Sequence, residues 1–184
     1  MPSGLLPLMA LTRTNSMPAN EQLSVEERLT RLEDYEKIKV LITGFARGAD
    51  ANCDPSLLRP LFTDDAIFDV GQFGRLEGGD NIVKEMHANV EIGFNNTLHF
   101  LVSPTIDMGA DLRSAKCFYY LWETANHQTK SGENIAYWIG GWYDAEVIKL
   151  GSEWRFRHLN LTLKLLSPYA EGWHPLPHSF DDLG

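Results

Sequence analysis

The sequence predicts an α+β fold in which about three helices pack on one face of a long, curved antiparallel sheet that wraps into a cone. Three observations carry that reading. Apolar residues in the first third recur at steps of three and four, the spacing of an amphipathic helix. The second half breaks into long β-rich stretches divided by short polar turns, the pattern of an antiparallel meander. Finally, Gly140-Gly141 falls in the middle of one such stretch, where paired glycines weaken a flat ladder and suit a bulge. Helices followed by a sheet give an architecture with the helices on one side.

Residues 1–23 are rich in Pro, Ser, Asn and Thr, show no periodicity and read as a disordered leader. Its apolar piece, Gly4 to Leu11, contains Pro7, has no basic residue before it and is too short to cross a bilayer. A cytoplasmic location follows by default. The domain spans residues 24–166. Ser24 is the expected N-cap of a long helix, with Glu27 completing a capping box. The helix carries Val25, Leu29, Leu32, Tyr35, Ile38, Ile42, Phe45 and Ala49 along one stripe, and Gly44 and Gly48 near its end predict close packing or a bend.

Asp54-Pro55 is a second helix start, an aspartate cap followed by proline. Thr63-Asp64-Asp65 is expected to turn the chain into a strand from Ala66 to Val70. After a short partner strand, Asp80 begins a third helix through Ile82, Val83, Met86 and Val90. The strands that follow run from Leu98 to Ile106, broken by Pro104, then Arg113 to Thr124, Ile135 to Ile148 and Trp154 to Leu166. Residues 167–184, with Pro168, Pro175 and Pro177, form an irregular tail that either closes over the cone as a lid or stays loose.

Composition narrows the function. A chain of 184 residues, 43% of them hydrophobic and 11% aromatic, suits one packed domain. Its formal charge of −9 repels nucleic acid and anionic membrane surfaces, so neither is an expected partner. Cys53 and Cys117 are too few for a disulfide framework and too isolated for a zinc site. His174 and His178 in the tail suit chance metal capture better than a built site. No HExxH, phosphate loop or GxSxG pattern is present, so metalloprotease, nucleotide-binding and serine-hydrolase readings have no support.

Asp50 and His99 carry the chemistry. Asp50 closes the long helix, where the macrodipole disfavours an anion and therefore argues for a specific partner, His99 or the nearer Arg47. His99 opens the strand Thr97-Leu98-His99-Phe100. An imidazole oriented by a carboxylate is a compact general base near neutral pH. A lone strand histidine is otherwise an ordinary core or rim residue.

The order of elements resembles the SnoaL-like branch of the NTF2-like (cystatin-like cone) superfamily. The matching segments are Ile38 to Asp50, Leu61-Phe62-Thr63-Asp64-Asp65-Ala66, Gly78-Gly79-Asp80-Asn81-Ile82, Thr97-Leu98-His99 and Gly151-Ser152-Glu153-Trp154-Arg155-Phe156. Members sharing the aspartate and histidine include scytalone dehydratase, bile-acid 7α-dehydratase and hexachlorocyclohexane dehydrochlorinase. The resemblance implies a lyase or isomerase that acts without a cofactor on a hydrophobic cyclic molecule, with Asp50 as orienting acid and His99 as base. Two departures stand out. Phe45 lies where the dehydratases carry a tyrosine. The further acid of the bile-acid enzyme has no aligned counterpart, since Leu121-Trp122 fall there and Glu123 is offset.

Pocket-lining candidates are Phe45, Phe68, Tyr119, Tyr120, Tyr137 and Trp138. A tyrosine hydroxyl beside His99 would donate to a developing enolate, and Tyr119, Tyr120 and Tyr137 are the candidates for it. Strand alternation puts Trp154, Phe156, His158 and Asn160 on one face, so His158 and Asn160 are candidates to polarise a carbonyl. Two other readings are a non-catalytic small-molecule-binding domain and a structural role for the outer sheet face. Covering that face predicts a homodimer or homotrimer.

Overall fold

The computed structural model describes residues 23–172. The expected leader before Leu23, and the tail beyond Gly172 with His174 and His178, lie outside the described residues. Helix α1 (Val25–Asp50) begins as the sequence predicts. Ser24 Oγ accepts the Glu27 N–H at 3.2 Å, and the Glu27 carboxylate accepts the Ser24 N–H at 2.7 Å. The expected apolar stripe is only partly used. Val25, Leu29 and Leu32 are exposed, and continuous burial starts at Asp34 and continues through Ile38, Ile42, Phe45 and Ala49. Asp34 is itself buried, accepting from Lys149 Nζ at 2.8 Å and from the Trp154 indole at 3.0 Å. These two bonds pin the helix to the last hairpin.

Close packing, rather than a bend, explains Gly48. A Cβ there would lie 2.5 Å from Leu58 Cδ2, so the glycine lets helix α2 (Pro55–Leu58) approach α1. Asp54 caps α2 through the Ser56 N–H at 2.8 Å. Strand β1 (Phe62–Asp69) starts earlier than expected and absorbs Thr63-Asp64-Asp65. Strand β2 (Arg75–Glu77), helix α3 (Gly79–Ile92) and strands β3 (Phe94–Met108), β4 (Ser114–Gln128), β5 (Asn134–Leu150) and β6 (Glu153–Pro168) follow. Ser167 and Pro168, expected in the tail, thus still belong to β6.

The six strands form a curved, unclosed sheet in the order β2-β1-β6-β5-β4-β3. It is mixed, not wholly antiparallel as predicted, because β1 runs parallel to β6. A helix and the whole meander separate those strands, so turn signals carry no information on their relative direction. Pro104 does not end its strand. Ser103 takes φ 54° and the β3–β4 register shifts between Val102 and Thr105, a bulge on an edge strand where proline is tolerated.

Two further bulges bend β6 against β5, between Gly140 and Gly141 and between Glu146 and Val147. The first confirms the role expected of the glycine pair. On the concave side Phe45 meets Phe62, Phe68, Tyr143 and Phe156 edge to face, with ring centroids 5.8–6.3 Å apart. The convex face exposes Leu98, Phe100, Val102, Tyr120 and Trp122. No described helix is long and apolar enough to cross a membrane.

The two glycines differ sharply in what a side chain would meet. At Gly141 a Cβ would sit 2.1 Å from the Thr162 carbonyl oxygen, whereas at Gly140 it meets only side chains at 3.5 Å. Gly141→Ala is expected to destabilise the fold by about 2 kcal/mol or more, and Gly140→Ala by much less. Urea denaturation of both variants measures the contrast.

Candidate active site

Helices α1 and α3 and the concave sheet face enclose a cavity of about 870 Å³. Its wall is mainly apolar, with Phe45, Phe68, Phe73, Leu76, Ile139 and Leu163 prominent, while Gln128 and Lys130 form part of an exposed polar side. The expected placement of Phe45 and Phe68 in the pocket wall agrees with this. Asn52 and Cys53, in the turn after α1, also line it and take φ 58° and 50°. Two successive non-glycine residues in the left-handed region cost conformational energy, a local strain beside the cavity.

Asp50 is the last residue of α1, and it turns its carboxylate toward the start of β3. It accepts the backbone N–H of His99 at 3.0 and 3.3 Å, and the imidazole Nδ1 lies 2.7 Å away. Among the described residues Arg47 forms no ion pair, so the competing partner is eliminated. With Nδ1–H donating to Asp50, the ring is oriented and Nε2 is left on the side of Glu123. His99 pairs directly with Glu123 across β3 and β4, which places both side chains on the concave face. His99 Nε2 and Glu123 Oε2 are 3.3 Å apart, an ion-pair distance without hydrogen-bond alignment.

Sequence reasoning left Glu123 out of the site. Its signal was present in β4, where Glu123 is the one acid on a face otherwise formed by Tyr119, Leu121 and Ala125. The environment tunes this group. Burial pushes the Glu123 carboxyl up to about 6, with the Asp50 charge adding to that and His99 opposing it. Burial works against a charged His99, yet the Asp50 hydrogen bond and the two carboxylates outweigh it and hold its pKa above the ordinary value. Burial and the same two acids push the Cys53 thiol up to about 11, so it is no thiolate nucleophile near neutral pH. Among the described residues no group of three or more His, Cys, Asp or Glu side chains is arranged to hold a metal ion.

Six other candidates do not line the main cavity. Tyr119 is fully buried beside it, stacked on Tyr143. Tyr120 stands on the convex face, half exposed. Tyr137 packs on Phe94 and His127, and with Trp138 it borders a separate cleft of about 140 Å³. His158 and Asn160 are removed by the second β6 bulge. Because Val147 pairs with Phe156 and Glu146 with His158, one extra residue reverses the alternation, and Leu159 rather than His158 is buried. The only tyrosine lining the main cavity among the described residues is Tyr143, which is not among the candidates named from the sequence.

The sequence profile of the SnoaL-like domain matches residues 30–160. No curated protein matches the chain by sequence. Among solved structures, the hexachlorocyclohexane dehydrochlorinase LinA-type3 from Novosphingobium barchaimii LL02 superposes with a TM-score of 0.69 at 20% identity, covering 82% of this chain and 99% of that one. A type 2 hexachlorocyclohexane dehydrochlorinase gives 0.69 at 19% identity, covering 82% and 97%. An NTF2-like protein with a cystatin-like fold from Novosphingobium aromaticivorans gives 0.58 at 21% identity, covering 75% and 86%. At these identities the superpositions establish the cystatin-like cone, and the profile match over most of the domain establishes kinship. The chain belongs to the SnoaL-like domain family.

Proposed function

We propose that this protein is a lyase or isomerase that works without a cofactor on a hydrophobic cyclic small molecule, with His99 as general base oriented by Asp50. The observation that carries this reading is the pair His99 and Glu123 on the wall of an apolar cavity, with Asp50 held against the Nδ1 side of the same imidazole. A domain that only holds an apolar ligand gains nothing from two partly or wholly buried carboxylates against an imidazole, each expensive to desolvate. A proton-transfer site gains from all three.

For the loss of water, the steps balance within the site. His99 Nε2 takes a proton from a ring carbon, and the released C–H electron pair forms the carbon–carbon double bond. The adjacent C–O bond breaks, and the departing hydroxyl takes that proton back from the imidazolium to leave as water, which restores the starting state. The Glu123 carboxylate, 3.3 Å from Nε2, stabilises the imidazolium in between. Asp50 keeps its hydrogen bond to Nδ1 and stabilises the imidazolium between the two transfers. In an isomerisation the same proton returns to a different carbon. General-base assistance of this kind contributes roughly 10²–10⁴-fold, and the enclosing apolar wall supplies positioning and excludes water.

The convex sheet face favours self-association. Leu98, Phe100 and Val102 on β3 adjoin Tyr120 and Trp122 on β4, all more than a third exposed. A homodimer or homotrimer covers this apolar patch, and light scattering coupled to size exclusion is expected to lose that species in a Phe100→Glu variant.

A panel of cyclic β-hydroxy ketones, followed by the absorbance of the conjugated product, tests the reaction. His99→Asn is expected to lower kcat/KM by about 10³-fold and Asp50→Asn by less, while undiminished turnover in His99→Asn would defeat the assignment. The pKa shifts also predict how stability varies with pH. Glu123 is raised from 4.5 to about 6, so the folded chain binds its proton more tightly than the unfolded chain does, and stability falls as pH rises between those values by about 2 kcal/mol. His99, also raised, stabilises fully below its ordinary 6.5 and loses that contribution as pH climbs through its folded value. Urea midpoints of the wild type should therefore drop from pH 4.5 to 6, and the drop should flatten in Glu123→Gln.

A further inference from the structure

Tyr143 is held without freedom to turn away. Its ring stacks on Tyr119 at 5.2 Å with an interplanar angle of 27°, and Phe45 meets it edge-on at 5.8 Å. The residue is 2% exposed and lines the cavity. Its hydroxyl has no hydrogen-bond partner among the described residues, although the buried Trp154 N–H, by contrast, finds Asp34. Unlike the sealed Tyr119 hydroxyl, that of Tyr143 is not shut off from the cavity that its residue lines, so its donor is open to an acceptor from outside the chain. The neighbouring Tyr119 hydroxyl is also unpartnered but is sealed within the core and does not border the cavity.

Location gives this orphan its meaning. Burial, together with Glu123 and Cys53, holds the Tyr143 phenol well above its ordinary pKa, so it keeps its proton and can donate it in a hydrogen bond at neutral pH. Two of the groups that act on it electrostatically thus belong to the wall around the dyad. A base that removes a proton beside a carbonyl creates an enolate oxygen, and that oxygen needs a donor fixed in place beforehand.

We propose that the Tyr143 hydroxyl donates the hydrogen bond that binds a substrate carbonyl oxygen and stabilises it as it becomes an enolate, so that the substrates are cyclic ketones rather than rings lacking oxygen. This rests on the proton-transfer reading above and narrows its substrate class. The apolar aromatic surround strengthens such a bond relative to water, and the rigid ring spares the site reorganisation. Elimination from a ring without an oxygen acceptor would leave the donor unpaired and gain nothing from it.

The test uses the whole chain and two probes, 2-naphthol and naphthalene, which share a ring system and differ by one oxygen. Wild type is expected to bind 2-naphthol about tenfold more tightly than naphthalene, and Tyr143→Phe to abolish that preference while leaving naphthalene binding unchanged. The melting temperature of Tyr143→Phe should not fall, because the hydroxyl satisfies nothing in the free protein. Tyr119→Phe should keep the preference. Equal binding of the two probes by wild type, a preference surviving in Tyr143→Phe, or no binding of either probe overturns the proposal. His99→Asn separates the two readings: lost turnover of cyclic ketones with the naphthol preference retained supports both. A preference retained while wild type turns over no ketone leaves the donor site standing and removes the reaction.

Discussion

The carboxylate of Asp50 ties the end of α1 to the start of β3 through both the backbone and the ring of His99. It sits at the end of α1, where the helix dipole makes an anion unwelcome, and it is compensated by the backbone and ring N–H groups of His99 at the start of β3. One side chain therefore fixes the helix end, the first turn of the β3 edge and the ring orientation together. The strained turn at Asn52 and Cys53 lies two and three residues further on and contributes directly to the cavity wall. Removing the bridge would loosen the wall and the ring of His99 in the same step.

Curvature of the sheet supplies the chamber in which that bridge has chemical value. Bulges opposite Gly141 and Val147 bend β5 and β6 around the helices, and the bulge at Ser103-Pro104 adjusts the free edge. A flat sheet would bring its concave side chains onto α1 and leave no space. Bent, the same strands hold Ile139, Tyr143 and Leu163 away from α3 and around open volume. Gly141 allows the tightest approach, since any Cβ would strike the Thr162 carbonyl.

Charge in an apolar wall is costly, and the site manages it by sharing. Glu123 is raised toward neutrality by burial, and its nearest counter-group is an imidazole already claimed on the other side by Asp50. At His99 the Asp50 hydrogen bond and the two carboxylates outweigh burial, so the charges of the three groups are set jointly. The Asp34, Lys149 and Trp154 cluster at the other end of α1 is the static counterpart: fully satisfied, facing no cavity, and holding the helix against the sheet.

Local physics made much of this legible from residues alone. The capping box at Ser24, the Asp54-Pro55 start and the glycine bulge each depend on neighbours close in sequence, whereas the meeting of Asp50 with His99, 49 residues apart, was implied by the family resemblance and left open by the residues themselves. What escaped were properties set by register. The direction of β1 against β6, the persistence of β3 through Pro104, and the inward face of β6 all follow from where strands pair, and one extra residue inverts every later side chain. That inversion removed His158 and Asn160 from the concave face. Cross-strand pairing likewise set Glu123 against His99, and only the packed cone left the hydroxyl of Tyr143, rather than those of Tyr120 or Tyr137, beside the open volume. Residue chemistry decided which groups this protein carries, and long-range pairing decided which of them meet, because side-chain facing in a bent sheet is a property of the whole ladder.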